Sequence, residues 1–322
     1  MKLRILTAED IRICLPMSGA IEAMRTAFIQ LSSGEATVPD RIAVSTDAGV
    51  SLFMPGYLPR EGHLAAKVVS VYGENRTRGL PVIQGVVLVL DSQTGLPLAL
   101  MDGAYLTALR TGAAGGLATE LLAVEDASVL TIFGAGPQAR TQIEAVRAVR
   151  PIREVRLLSR PTEGARILAD ELDGVDVEVF EDPEKAVAGA EVIVTATDSR
   201  KPVFPGGVIR EGVHVNAIGA FTPEMAEVDE DLVVRAKVVV DLRATVMAEA
   251  GDLVQAMKDG AFSLEDIHAE LGEVVSGDRP GRVSSTEITL FKSVGNAVQD
   301  VAAACRVLDV ASRKDVGTLV EV

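Results

Sequence analysis

The stretch Ser128-Val129-Leu130-Thr131-Ile132-Phe133-Gly134-Ala135-Gly136-Pro137-Gln138-Ala139 decides the fold. Its first half is an apolar, β-branched run, the pattern of a strand buried on both faces of a parallel sheet. Its second half reads Gly-x-Gly-x-x-Ala and opens a helical stretch expected over 138–150. A second β-like run over 154–158 closes a βαβ unit. In that setting the spacing is the dinucleotide fingerprint in its alanine-ending form. Gly134 permits the sharp turn, Gly136 lets the backbone approach a pyrophosphate, and Ala139 keeps the helix close to the strand. Pro137 and Gln138 begin the helix, whose free N–H groups then face phosphate charge.

The end of the second strand refines the cofactor. An NAD site usually places an Asp or Glu there for the ribose 2′-hydroxyl. Here the chain reads Leu158-Ser159-Arg160, with Thr162 just beyond and no carboxylate. A hydroxyl and a guanidinium bind a 2′-phosphate that a carboxylate would repel. Ser159, Arg160 and Thr162 therefore predict NADP(H) in preference to NAD(H).

Beyond this unit the βα alternation continues, with strands expected over 175–180, 191–195, 213–218 and 238–241 and a short helix over 183–190. The expected fold class is α/β, a doubly wound parallel sheet. Thr195 and Thr197 end one strand on the edge such a sheet offers to a ligand. Ser293-Val294-Gly295 precedes a helix expected over 297–308, and its free N–H groups make Ser293 and Gly295 further cofactor candidates. The preceding part of the chain differs. Residues 1–36 read as helical, with Thr7 and Ser18 as caps and Gly34 as a terminating glycine. Five short β-rich runs over 38–45, 51–57, 63–72, 82–90 and 98–101 then imply successive hairpins and an antiparallel sheet. A helix over 104–122 is rich in small residues, which points to close packing against backbone, substrate or cofactor.

Composition sets the outer limits. The 322 residues carry a net charge of −15, which argues against nucleic-acid binding. Aromatic residues make up only 3% and Trp is absent, so Ala, Val, Leu and Ile must fill the cores. Cys14 and Cys305 form no metal-ligand pattern, and no metal is expected. No apolar run reaches the length of a membrane span, so no membrane partner is expected and the predicted compartment is the cytoplasm.

Three cations in apolar surroundings are the candidates for chemistry. Arg41 opens a strand, Lys67 lies in Ala65-Ala66-Lys67-Val68-Val69, and Arg110 lies on the small-residue helix. A partly buried cation needs an anion, and either an internal carboxylate or a substrate carboxylate would serve. His214 and His268 read as structural, the former opening a strand and the latter on a polar helix. Glu249-Ala250-Gly251-Asp252 reads as an architectural break between helices.

Taken together, the chain resembles the ornithine cyclodeaminase/μ-crystallin family. The resemblance runs through Arg41, Phe53-Met54-Pro55, Ala66-Lys67-Val68, residues 106–116, 133–139 and 214–220, Pro223 with Glu227, and residues 249–253 and 289–295. It implies a Rossmann domain over 119–296 inserted into an antiparallel substrate and dimerisation domain over 1–118. A C-terminal helix in 297–322 would return to the first domain. It also implies a homodimer, and a substrate carboxylate bound by Arg41, Lys67 and Arg110 beside the nicotinamide. Cyclodeaminases of the family carry acids where this chain has Leu52 and Phe221, so a distal ammonium would lack a partner here. The expected activity is NAD(P)H-dependent reduction of a small 2-imino acid to an L-amino acid, with Lys67 or a water delivering the proton. The substrate would be a cyclic ketimine such as Δ1-pyrroline-2-carboxylate, or iminopyruvate. The rivals are a cyclodeaminase-type lyase on tightly held NAD and a nucleotide-binding protein without turnover.

Overall fold

In the computed structural model, which describes residues 2–322, the chain parts into two units, Met1–Arg110 with Asn296–Val322, and Thr111–Gly295. The first division falls inside one continuous helix rather than at 118/119.

The first unit begins with strand β1 (Lys2–Leu6) and helices α1 (Ala8–Cys14) and α2 (Met17–Ser32). Residues 2–6 were expected to be helical. They form a strand instead because β1 finds partners far along the chain, parallel to β6 (Pro97–Asp102) and antiparallel to β15 (Thr318–Glu321). Thr7 does start α1, through a reciprocal capping box with Asp10. Ser18 is not a cap, since α2 already begins at Met17 after Pro16. The hairpins follow as β2 (Ile42–Thr46), β3 (Gly49–Leu58), β4 (His63–Val71) and β5 (Ile83–Asp91), giving a seven-stranded sheet in the order β15-β1-β6-β5-β4-β3-β2.

The register of this sheet assigns its faces. Met54, Lys67, Val87 and Met101 stand side by side on β3, β4, β5 and β6. Their face is covered by α11 (Ala297–Lys314), which packs on β3, β4 and α2. One residue along, Ile42, Phe53, Val68 and Val86 form the neighbouring row, and alternation turns it to the opposite face. There Ile42 is 61% exposed, Phe53 40% and Val86 42%.

The second unit is built on an all-parallel sheet of eight strands in the order β13-β12-β14-β11-β10-β7-β8-β9. These are β7 (Val129–Phe133), β8 (Glu154–Leu158), β9 (Asp176–Val179), β10 (Val192–Thr195), β11 (His214–Ala217), β12 (Lys237–Val240), β13 (Ile267–Glu270) and β14 (Thr289–Lys292). Helices α4 (Pro137–Val149), α5 (Thr162–Asp170), α6 (Pro183–Val187), α7 (Glu230–Arg235), α8 (Arg243–Glu249), α9 (Gly251–Lys258) and α10 (Leu271–Ser276) connect them. This is the doubly wound α/β class, and the strand order reverses between β7 and β10, where such sheets take ligands. Two strands of this sheet escaped the sequence reading. His268 lies in edge strand β13 and not on a helix, its Nε2 set 2.8 Å from the Pro280 carbonyl oxygen. The four residues of β14 insert between β11 and β12.

Helix α3 (Gly103–Leu122) carries the small residues, and their use is helix packing. A Cβ on Gly112 would lie 2.6 Å from the Thr141 carbonyl oxygen, and one on Gly115 would lie 2.1 Å from Gln142 Oε1. Gln142 Nε2 donates to the Thr111 carbonyl at 2.9 Å, joining α3 to α4. The last carbonyls of α3 are satisfied by arginines, Arg150 on Glu120 and Ala123 and Arg282 on Leu122. Among the described residues no helix is long and apolar enough to cross a membrane.

Candidate active site

Lys67 points from β4 into the face beneath α11 and is 2% exposed. Its Nζ lies 2.7 Å from Oδ2 of Asp300, which is equally buried in the first turn of α11. The other oxygen of Asp300 accepts from Arg110 Nε at 3.0 Å, and Arg110 Nη1 donates to Gln299 Oε1. One carboxylate thus holds two cations from a strand and a helix. Burial pushes Asp300 up, but the combined pull of Arg110 and Lys67 outweighs it and leaves the carboxyl below its ordinary range. Burial also disfavours the Lys67 ammonium; Arg110 and Arg41 repel it while Asp300 holds it, and its pKa falls to about 8. Arg41 is half-buried beside the start of β2 and close enough for Lys67 to feel its charge.

Lys67 and Arg110 together carry one positive charge more than Asp300 balances. Asp300 and Gln299 engage two of the five N–H groups of Arg110, so the rest of its fork is available to an anion.

The glycine turn of the second unit has the shape a pyrophosphate needs. Gly134 has φ +113°, and a Cβ there would lie 2.4 Å from the Ala196 carbonyl oxygen, so only glycine fits at the switch point. Gly136 faces open space, where a Cβ would meet nothing within 4 Å. Pro137 opens α4 without needing a backbone donor, and Ala139 is buried against the strand. Gln138 Oε1 is buried without a partner at the same turn. The turn can therefore cradle a dinucleotide.

The other cofactor candidates are engaged elsewhere. Thr195 Oγ1, Thr197 N and Oγ1, and the Gly219 and Ala220 N–H groups all donate to Glu227, at 2.6–3.1 Å. Burial favours the neutral acid at Glu227, yet five donors face its oxygens, an arrangement that the ionised carboxylate satisfies. Ser293 Oγ and the Val294 and Gly295 N–H groups donate to Asp241 Oδ2 at 2.8–3.0 Å. An internal carboxylate fills the nest that the sequence offered to a ligand. Ser159 Oγ donates to the Pro161 carbonyl and accepts from Ala165 N, while Arg160 is exposed and Thr162 half-buried at the start of α5.

The chain has relatives among known proteins. The profile of the "Ornithine cyclodeaminase/mu-crystallin family" matches residues 1–315. The chain belongs to that family. It is 38% identical to the Delta(1)-pyrroline-2-carboxylate reductase of Bacillus cereus, covering 98% of this chain and 99% of that one. Among solved structures it is similar to Thermococcus litoralis Delta(1)-pyrroline-2-carboxylate reductase in complex with NADH and L-proline. That match has a TM-score of 0.95 at 40% identity, over 98% of this chain and 99% of the other. An archaeal alanine dehydrogenase dimer with bound NAD matches with a TM-score of 0.94 at 37% identity, over 100% and 99% of the two chains.

Within this family member, sequence reasoning missed Asp300 and Gln299 and gave no role to Glu227 and Lys292, while Asp252 fell in the stretch it read as an architectural break, where α8 does end and α9 begins. Asp252 Oδ1 accepts from the Glu227 and Val228 N–H groups, and its Oδ2 lies 2.6 Å from Lys292 Nζ, both side chains being wholly buried. A signal was available for Asp300, Gln299 and Lys292, whose charged or amide side chains stand among apolar neighbours. His214 is structural, between Thr289 and Asn216, with burial driving its pKa down to about 3.

The Asp252–Lys292 pair supports the loops around Glu227. Lys292→Met should cost about 3–5 kcal/mol, because Asp252 is left charged and unpaired in the core. Adding Asp252→Asn should recover a large part of that loss. Thermal unfolding of the two single variants and the double variant measures it, and additive losses would show that the two side chains are uncoupled.

Proposed function

We propose that this protein reduces a 2-imino acid to an L-amino acid with a reduced nicotinamide nucleotide. The observation that carries this reading is the buried cluster of Lys67 and Arg110 around Asp300, with Arg41 near enough for Lys67 to feel its charge; the one positive charge that Lys67 and Arg110 keep beyond Asp300 suits one carboxylate. The similarity to the two pyrroline-2-carboxylate reductases and the alanine dehydrogenase supports it. Bound on the turn at Gly134 and Gly136, the nicotinamide nucleotide supplies a hydride. The chain's own residues do the remaining work. Arg41, Lys67 and Arg110 hold the substrate carboxylate, and Arg110 presents a planar fork to it. Lys67 Nζ carries its proton at neutral pH and delivers it to the imine nitrogen. Leu52 on β3 offers no partner to a distal ammonium, which favours a cyclic ketimine such as Δ1-pyrroline-2-carboxylate, with iminopyruvate as the smaller alternative. The antiparallel unit takes the substrate and the parallel unit the nucleotide. Both cysteines are free and buried, which suits a reducing compartment, and we place the reaction in the cytoplasm.

Purified protein should consume the reduced nucleotide with Δ1-pyrroline-2-carboxylate, followed by nicotinamide absorbance. No consumption across cyclic and linear 2-imino acids would overturn the reading. Because the reduction needs Lys67 protonated, kcat/KM should be level below about pH 8 and fall above it. Lys67→Arg, which keeps its proton throughout, should lose that limb and run slower. Arg110→Ala should lower kcat/KM by at least about 2–3 kcal/mol.

The end of β8 supports NADP(H) over NAD(H), through exposed Arg160 and neighbouring Thr162 with no carboxylate at the ribose position. The two solved relatives carry NADH and NAD, so the comparison is worth making directly. Arg160→Ala should raise KM for NADPH far more than for NADH, and equal effects on the two would refute a 2′-phosphate contact at Arg160.

We also propose a homodimer joined through the outer row Ile42, Phe53, Val68 and Val86, since an apolar row of this kind on an edge-strand face needs cover. Light scattering should give twice the chain mass, and Phe53→Lys should give the single mass.

A further inference from the structure

The first turn of α11 carries two enclosed amides whose hydrogen-bonding capacity the protein leaves unused. Gln299 is wholly buried, and its Oε1 accepts from Arg110 while its Nε2 has no partner. Asn296 precedes the helix and is 4% exposed, and neither its Oδ1 nor its Nδ2 has a partner. It does not cap α11 through its side chain, although Asn is a favoured cap. Buried polar atoms are nearly always paired, so orphans at a functional cluster ask for a missing partner. Asn296, Gln299 and Asp300 stand at i, i+3 and i+4, which brings them to one face of the helix end. Asp300 on that face already grips Lys67 and Arg110.

We infer that Gln299 and Asn296 are substrate-contacting residues that tell a 2-imino acid from a 2-oxo acid. The inference rests on the reading of the cluster as an imino-acid site and adds to it. A carboxylate only accepts, so it matches Gln299 Nε2 beside Arg110 and Asn296 Nδ2. A protonated imine donates through its N–H, and so does the amine it becomes; either matches Asn296 Oδ1. A ketone at the same place would set one acceptor against another and leave Oδ1 unpaired. The two amides thus complete what the cations cannot supply, because Lys67 and Arg110 only donate.

Full-length protein with Gln299→Glu or Asn296→Ala tests this. Gln299→Glu keeps an acceptor for Arg110 and removes the donor; Asn296→Ala removes two unpaired atoms and changes no charge. Both variants should melt no lower than the parent, and Asn296→Ala should melt higher. Each should raise KM for Δ1-pyrroline-2-carboxylate about tenfold or more, the size of one lost hydrogen bond to a charged group. Calorimetric titration with pyrrole-2-carboxylate, an unreactive planar analogue that carries both the carboxylate and an N–H, should show the same loss of affinity. Asn296→Ala should also narrow the preference for the imino acid over pyruvate. Unchanged KM and analogue affinity in both variants would overturn the inference while leaving the parent reaction standing. So would a fall in melting temperature with KM intact, the signature of a purely structural pair. A parent enzyme inert toward every 2-imino acid would instead remove the substrate reading, and this inference with it.

Discussion

A single carboxylate, Asp300, governs the buried charges of the antiparallel unit. Two cations in a dry interior repel one another and each loses its hydration, so neither Lys67 nor Arg110 could be buried as it is without an anion between them. Asp300 supplies one oxygen to each. It arrives on α11, from the far end of the sequence, which is why that helix has to return to the sheet carrying Lys67. The pairing is deliberately incomplete in charge. Neutralising one cation makes burial tolerable, and Lys67 with Arg110 still carries one positive charge beyond what Asp300 balances.

The parallel unit solves a related problem with carboxylates as its fixed points. Glu227 collects five donors from the ends of β10 and β11, and Asp241 collects three from the segment after β14. Loops at the carboxyl edge of a parallel sheet carry unpaired N–H groups, and an internal anion is one way to satisfy them without closing the edge. Asp252 and Lys292 then fix Glu227 from behind. The phosphate turn is left as the place where backbone still faces open space.

How far the sequence could be read follows from the range of each interaction. The glycine turn is local, with strand, turn and helix contiguous, and its reading carried the fold class. Lys67 and Arg110 stood out because a cation among alanines and valines is conspicuous over a few residues. Their partner did not, since Arg110 and Asp300 are 190 positions apart. Thr195, Thr197, Ser293 and Gly295 display hydroxyls and N–H groups that the sequence cannot show to be taken, because the acceptors Glu227 and Asp241 lie tens of residues away. β1 and β13 were lost for the same reason, being short strands whose identity comes from distant neighbours rather than from a pattern of their own.

The outer row Ile42, Phe53, Val68 and Val86 has a consequence for the newborn chain. If the dimer proposed above forms, a protomer that has just folded would keep those side chains wet until it met its match, and the waiting time would lengthen as the protein became scarcer. Scarcity, not abundance, is then the hazardous condition: slow synthesis prolongs the interval in which a sticky sheet face is open to foreign strands and chaperones alike.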